Sequence, residues 1–287
     1  MELEIQKYLR SKNLQDLIWD YDLQTFESER YPELICFDYS ILSPQNEQIT
    51  REARGLVLEK NTWDIKCMSM LSFQFENELL NFENANAFVK YDGCLVILYF
   101  YQNTWITATR FSVDGNCYVA SAYSREKDIT WKDLFFETLT GMGIDKSDFL
   151  SKLSEEYCYS FEMCTKFNKN IAVYQEDFIK LISITNVKDT QEIDILTNEL
   201  LYFYPDLEPE HLKIQTKFEI EDILSQNIPG YELEGYVVTD KNFNRIKMRN
   251  PNFDSLSKID ENANQEYIQR LIMGISPVDP GGEGVIP

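Results

Sequence analysis

The chain is short of histidine, of paired cysteines and of basic charge, and each shortage removes a class of function. A single histidine, His211 in the polar stretch PDLEPEHLK, rules out multi-histidine metal sites and reads as a surface residue. The six cysteines, at 36, 67, 94, 117, 158 and 164, include no CxxC pair, so buried free thiols are expected rather than a zinc site or a redox motif. No apolar run approaches the ~20 residues that span a bilayer, and the N-terminus MELEIQKYLR lacks a signal-peptide profile. A soluble, cytoplasmic protein with no membrane partner is expected. Basic residues number 27 against 48 acidic ones, a net charge of −21. Such a surface disfavours non-specific nucleic-acid binding, which draws on lysine and arginine, so a polyanionic substrate would have to meet a local basic pocket. With one histidine available, chemistry must come from lysine, arginine and carboxylates.

What is present is a globular composition: 287 residues, 44% hydrophobic and 14% aromatic, enough for one large domain or two small ones. Residues 2–24 carry helical spacing in Leu3, Tyr8, Leu9, Leu14, Leu17 and Ile18. From about residue 32 short β-branched and aromatic runs take over: LICFDYS, ARGLVLE, AFVKYD, CLVILYFY, TWITATRF and NCYVASAY. Gln102-Asn103 and Asp114-Gly115-Asn116 read as hairpin turns. Helices are predicted near 131–140, 145–156, 191–202, 217–226 and 263–273, and further strands at YCYSFEMC, NIAVY, FIKLISIT, ELEGYVVTD and NRIKMRN. Clustered strands and helices without regular alternation predict an α+β fold with antiparallel β-sheets flanked by helices. The expected organisation is one unit over 1–255, including the N-terminal helical segment, then a short helix and mobile tail over 256–287. A monomer is expected.

The stretch Lys90-Tyr91-Asp92-Gly93 stands between the apolar runs Ala87-Phe88-Val89 and Cys94 to Tyr101. A lysine amine at the edge of a buried strand can be desolvated, lose its proton and attack phosphorus. By itself the string reads first as a strand end followed by an Asp-Gly turn.

Other charged residues interrupt apolar strand patterns: Arg54 in EARGLVLE, Arg110 ending TWITATR, Glu162 in YSFEMC, Glu234 in LEGYVV, and Lys247 with Arg249 in RIKMRN. Charges inside strands are costly to bury unless paired or functional. Period-2 geometry puts Lys247 and Arg249 on one face and Met248 on the other. Singly, each has a plain alternative: Glu162 and Arg110 as edge residues, Glu234-Gly235 as a bulge, RIKMRN as a solvated edge strand.

Taken in order, Arg54 in EARG, Lys90 in KYDG, Glu162 in SFEMC, Glu234 in EGYVV and Lys247 in IKMR resemble the motif series of the covalent nucleotidyltransferases, ATP-dependent ligases and mRNA capping enzymes. Within that superfamily REARGLVLE, SFQFENE and NKNIAVYQEDFIKLISIT are most similar to the RNA ligase 1 family, the phage tRNA-repair type, over roughly residues 35–275. The resemblance implies a nucleotidyltransferase adenylation domain, ATP-grasp-like. It also implies that Lys90 attacks the α-phosphorus of ATP to give lysyl-AMP, that AMP passes to an RNA 5′-phosphate, and that a 3′-hydroxyl then displaces it. Asp92 and Gly93 would shape the turn. Glu162 would hold a ribose hydroxyl or help organise metal, and Glu234 would be the carboxylate for Mg²⁺, or Mn²⁺. Arg54, Arg110, Lys247 and Arg249 would surround the phosphates, stabilising the charge that builds there and favouring a neutral Lys90.

Three positions depart from that pattern. Ser72, before Phe73-Gln74-Phe75, stands where a lysine is usual, leaving one phosphate contact absent or supplied by Lys66. Arg249 replaces a lysine, and Thr185 an arginine. The family's founding member carries a helical C-terminal domain for tRNA recognition, and no counterpart to it is expected within these 287 residues. The expected partners are therefore RNA ends, tRNA among them, bound weakly and salt-sensitively or delivered by a protein partner. The same chemistry with a DNA nick, an RNA cap or a non-nucleic-acid acceptor, and a non-catalytic RNA-end-binding module, are the alternatives.

Overall fold

The computed structural model describes residues 2–73, 78–119, 129–168 and 171–258. Two helices open it, α1 (Glu4–Ser11) and α2 (Leu14–Tyr21). The N-terminal periodicity breaks between them at Asn13, whose side chain caps α2 by accepting the Asp16 amide at 2.8 Å. Asp22, left-handed at φ 49°, ends α2 and turns the chain into β1 (Leu23–Glu27). There follow β2 (Leu34–Tyr39), α3 (Gln48–Glu52), β3 (Arg54–Glu59), β4 (Ile65–Cys67), β5 (Ala85–Lys90), β6 (Cys94–Tyr101) and β7 (Thr104–Thr109). Then come α4 (Trp131–Gly141), α5 (Lys146–Ser151), β8 (Tyr157–Cys164), β9 (Phe178–Asn186), β10 (Glu192–Ile193), α6 (Glu199–Phe203), β11 (His211–Ile214), α7 (Lys217–Ser225), β12 (Gly235–Thr239) and β13 (Arg245–Arg249).

These strands form three sheets, ordered β1-β2-β3-β4, β10-β9-β8-β6-β7 and β11-β5-β12-β13, with antiparallel pairing between every neighbour. The α+β reading with antiparallel sheets is therefore what the chain adopts. One face of the first sheet packs Ile35, Phe37, Leu56 and Leu58 under Ile5, Leu9 and Leu17 of the N-terminal helices. Its other face sets Leu34, Cys36, Val57 and Cys67 against Leu95, Ile97, Tyr99 and Cys158 of the second sheet. The second sheet's far face buries Val96, Leu98, Phe161, Met163 and Leu181 under Phe135, Leu139, Phe149 and Leu200 from α4, α5 and α6. Alternate residues of β6 thus enter different cores, which is why CLVILYFY is apolar without a break.

The third sheet has only one apolar face. Ala85, Ala87, Tyr236, Val238, Ile246 and Met248 pack with Ile220 and Leu224 of α7. The opposite face mixes the polar Asn86, Lys90, Thr239, Arg245 and Lys247 with Phe88 and Val237, and it is this asymmetry that builds the site.

Several expected elements differ. The helix expected over 191–202 is divided into β10, a 3₁₀ turn at Ile195–Thr197 and the short α6, because Asp194 and Asn198 each cap a new start. NIAVY is no strand: 171–174 form a loop, and 169–170 lie outside the described residues. Gln102 and Asn103, at φ 47° and 59°, do make the tight β6–β7 hairpin. Asp114-Gly115-Asn116 turns the chain toward α4 instead, the Gly115 carbonyl accepting the Lys132 amide at 3.0 Å. Residues 120–123 of NCYVASAY lie outside the described residues, as do 259–287, which hold the helix expected near 263–273 and the tail. His211 is half-buried on β11 against Phe88, not a surface residue, with ring centroids 5.5 Å apart. Among the described residues no helix is long and apolar enough to cross a membrane.

Phe161 is fully buried and touches the rings of Phe135 and Phe149 at 5.3 and 6.1 Å. Phe161→Ala should lower the free energy of unfolding by about 3–5 kcal/mol in urea titrations, whereas Phe218→Ala, on an exposed face of α7, should change it by about 0.5 kcal/mol or less.

Candidate active site

Lys90 is the last residue of β5, and the ladder places it opposite Gly235 on β12, which in turn faces Arg249 on β13. Glu234 immediately precedes that row. Its carboxylate, only 4% exposed, accepts Lys90 Nζ at 2.8 Å on Oε2 and Arg249 Nη2 at 3.2 Å on Oε1. Arg249 Nη1 also reaches Asp254 at 3.0 Å. Gly235 takes φ +146°, and a Cβ there would lie 2.2 Å from the Met248 carbonyl, so only glycine lets β12 approach β13 this closely.

The turn after Lys90 is clasped from outside its own sheet. Asp92 Oδ2 accepts the amides of Ile171 and Ala172 at 2.7 and 2.9 Å, and the Asp92 amide donates to Tyr174 Oη at 2.8 Å. The Val173 amide meets the Tyr231 carbonyl at 2.8 Å, so the same loop also touches the segment leading to Glu234. Tyr91 is buried, its hydroxyl accepting the Glu210 amide at 3.0 Å. A Cβ on Gly93 would stand 2.5 Å from the Met163 carbonyl of β8, so glycine is needed where the turn after Lys90 crosses the second sheet.

The polar face of the third sheet, the second sheet and the start of β3 enclose a cavity of about 470 Å³. Its basic lining comprises Arg54, Lys90, Arg110, Lys213, Lys241, Arg245 and Lys247, against the acidic Glu162, Asp194 and Asp240. Seven cations facing three carboxylates form the local basic pocket that a chain of net charge −21 requires for a polyanion. Phe88, Leu95, Phe111, Ile182 and Val237 supply apolar wall, and the volume suits a nucleotide. Of the residues singled out in the sequence, Arg54, Lys90, Gly93, Arg110, Glu162 and Lys247 line this cavity. Asp92, Glu234 and Arg249 do not; they brace Lys90 and its turn. Lys213, Lys241 and Arg245 went unnoticed in the sequence, although Arg245 lies two residues before Lys247 and so shares its face by the period-2 rule.

Burial governs the charges here. It pushes Lys247 down to about 8, helped by the nearby Arg54 and Lys90. It lowers Arg54, partly offset by Tyr39 and Glu162, and Arg54 Nη1 is buried with no hydrogen-bond partner among the described residues. It raises Glu162 despite Lys90 and Arg54, and raises Asp38 despite Arg110, whose Nη2 is 2.9 Å away. Glu162 is no edge residue, since β8 runs between β9 and β6. Lys66, the alternative source of a phosphate contact, is instead paired with Glu59 at 3.2 Å.

Among the described residues no group of three or more His, Cys, Asp or Glu converges as a metal cage. Glu162 and Glu234 are close enough to interact. Two carboxylates fit an ion such as Mg²⁺ that keeps most of its ligands as water and nucleotide phosphate.

The model of a T4-type family described as RNA ligase matches residues 52–262, well over half of the chain. The chain belongs to the RNA ligase family. Two solved forms of an archaeal ATP-dependent RNA ligase superpose with a TM-score of 0.52, at 12% and 13% identity, covering 82% of this chain and 60% of theirs. A Naegleria gruberi RNA ligase gives 0.42 at 14% identity, over 60% of this chain and 51% of that one. At these identities the archaeal likeness shows the ligase nucleotidyltransferase fold alone. This family member spans about three-fifths of the archaeal chains it matches. No curated protein matches it.

Two tests follow from the geometry. Gly93→Ala should lower the melting temperature and disturb the Lys90 turn, because the Met163 carbonyl is backbone and cannot swing away. The folded-state pKa of Lys247 is about 8, against 10.5 ordinarily. Between those values the unfolded chain holds a proton that the folded one has lost, so the penalty is full below about pH 8 and disappears toward pH 10.5. Lys247→Met should therefore gain most over wild type near neutral pH, and the gain should fade across that window in pH-dependent urea unfolding.

Proposed function

We propose that this chain is an ATP-dependent RNA ligase that joins 5′-phosphate and 3′-hydroxyl ends through a lysyl-AMP intermediate at Lys90. The observation that carries the reading is a lysine amine on the wall of a nucleotide-sized cavity with an excess of cations, backed by a buried carboxylate. Family membership supports it.

In this reading Lys90 turns from Glu234, gives up a proton and attacks the α-phosphorus. An N–P bond forms, the bond to the bridging oxygen breaks, and pyrophosphate leaves. Arg249 shares the Glu234 carboxylate, so that buried charge keeps a partner when the lysine departs. Arg54, Arg110 and Lys247 face the developing charge on phosphate oxygens from fixed positions, where a low dielectric makes them effective. Glu162, with burial raising its pKa, is suited to accept a hydrogen bond from a ribose hydroxyl. Glu234 and Glu162 would hold the divalent ion, Mg²⁺ or alternatively Mn²⁺, which when bound supplies positive charge to the phosphates. Asp92 fixes the turn through the 171–172 amides. The adenylate then moves to an RNA 5′-phosphate with Lys90 as leaving group, and a 3′-hydroxyl displaces AMP to seal the strand. We take the enzyme to act in the cytoplasm as a monomer on RNA ends, tRNA among them, with a protein partner for delivery where its acidic exterior repels RNA.

The test is α-labelled ATP and GTP in turn, followed by denaturing electrophoresis and a chase with 5′-phosphorylated RNA or nicked DNA. The expected result is covalent label from ATP, discharged by RNA. Label retained from GTP would indicate capping chemistry, discharge by DNA alone a DNA ligase, and no label an RNA-end-binding module. Glu234→Ala should slow adenylylation by about 10²-fold or more and blunt its dependence on divalent ion; an unchanged metal requirement would remove Glu234 from that role. RNA affinity, measured by filter binding, should fall steeply with salt.

A further inference from the structure

A second cavity, of about 630 Å³, adjoins the first and shares Phe73, Phe243 and Arg245 with it. The charged side chains on its lining are nearly all compensated. Glu2 pairs with Arg10 at 2.7 Å, Glu4 with Lys7 at 2.6 Å, and Glu192 with Arg245 through two contacts of 2.8 and 2.6 Å. The Glu52 carboxylate accepts the Glu4 and Ile5 amides at the start of α1, at 3.2 and 3.0 Å. Arg51 is the exception. Its Nε donates to the Ser72 carbonyl at 3.0 Å, the Ser72 amide returns to the Arg51 carbonyl at 2.8 Å, and among the described residues Arg51 makes no ion pair.

Among the described arginines only Arg30, Arg51 and Arg54 make no ion pair, and of these Arg54 lines the first cavity and Arg51 the second. Its place sharpens the point. Ser72 is where the family pattern would put a cation, and Phe73, the next residue, has Lys247 Nζ at 5.0 Å and Arg54 Cζ at 6.0 Å from its ring centroid. The cations of the nucleotide cavity and the unpaired arginine of its neighbour therefore meet at one dipeptide. Lys66 lines neither cavity and is spent on Glu59.

We propose that Arg51 binds the terminal phosphates of the nucleotide, and the pyrophosphate released from them, replacing through space the lysine that Ser72 lacks. This deepens the lysyl-AMP reading and rests on it. When the bond from the α-phosphorus to the bridging oxygen breaks, its electron pair stays on pyrophosphate. The leaving group gains negative charge beside a guanidinium that has only a neutral carbonyl to satisfy it. A charge-assisted contact of this kind is strong because it displaces no existing ion pair.

The test needs no turnover: isothermal titration of the full chain with inorganic pyrophosphate, with thermal melting of each variant alongside. Arg51→Gln should weaken binding about tenfold or more, as loss of one charged hydrogen-bonding group implies, while Arg51→Lys stays within about threefold and Lys66→Gln binds as wild type does. Equal affinity in wild type and Arg51→Gln overturns the proposal, as does a loss confined to Lys66→Gln. Should the glutamine variant melt early, Arg51→Met, which keeps the aliphatic stem, carries the same comparison. Pyrophosphate binding through Arg51 in a protein that takes no label from ATP would sink the ligase reading and leave this site standing. Labelling by ATP with normal pyrophosphate binding in the folded Arg51 variants would do the reverse.

Discussion

The Glu234 carboxylate, buried and shared between Lys90 and Arg249, is the interaction on which the site depends. A carboxylate so placed needs its cations, because an unpaired buried charge costs about 3–5 kcal/mol. The pairing demands that three strands remote in sequence hold one register, with Lys90 opposite Gly235 and Gly235 opposite Arg249. A slip of one residue would turn Lys90 into the core beneath α7 and Val89 into the cavity side. The polar face and the apolar face of the third sheet therefore specify each other. Gly235 permits the close strand approach, and α7 seals the other side.

The same logic reconciles an acidic protein with a polyanion site. Long-range charge repels, but the cavity lining gathers cations from all three sheets, and partial burial strengthens their local effect. Burial has a cost that shows in Lys247, the depressed lysine of the group, and in the raised Glu162. Arg245 and Arg110 are instead paired, with Glu192 at 2.6 Å and Asp38 at 2.9 Å. The cavity thus contains braced cations, which hold shape, and less compensated ones, such as Arg54 and Lys247, which are suited to meet a ligand's charge.

Much of this was legible in the chain, and the remainder was hidden for identifiable reasons. Alternation in RIKMRN gave Lys247 its side of the strand, and the Asp-Gly turn located Lys90 at a strand end. The link from Lys90 to Glu234 could not be read, because it depends on register between strands 144 positions apart in the chain. NIAVY looks like a strand since Ile171 and Val173 alternate with small or polar-tipped residues. The structure uses that spacing in a loop, whose amides hold Asp92. The helix expected over 191–202 failed at Asp194 and Asn198, where capping side chains competed with the apolar pattern. Arg51 opens the block REARGLVLE, but nothing there sets its role apart from that of Arg54: α3 is five residues long and carries no readable period.

The central claim is that Lys90, released from Glu234, becomes the covalent carrier of a nucleotide. The most direct measurement is peptide mapping by mass spectrometry after incubation with ATP and a divalent ion. The account predicts a mass increment of one adenylate on the peptide containing Lys90, through an acid-labile bond, and its loss once 5′-phosphorylated RNA is added. An adenylate found on another residue, or no increment on a folded protein that binds ATP, would contradict it.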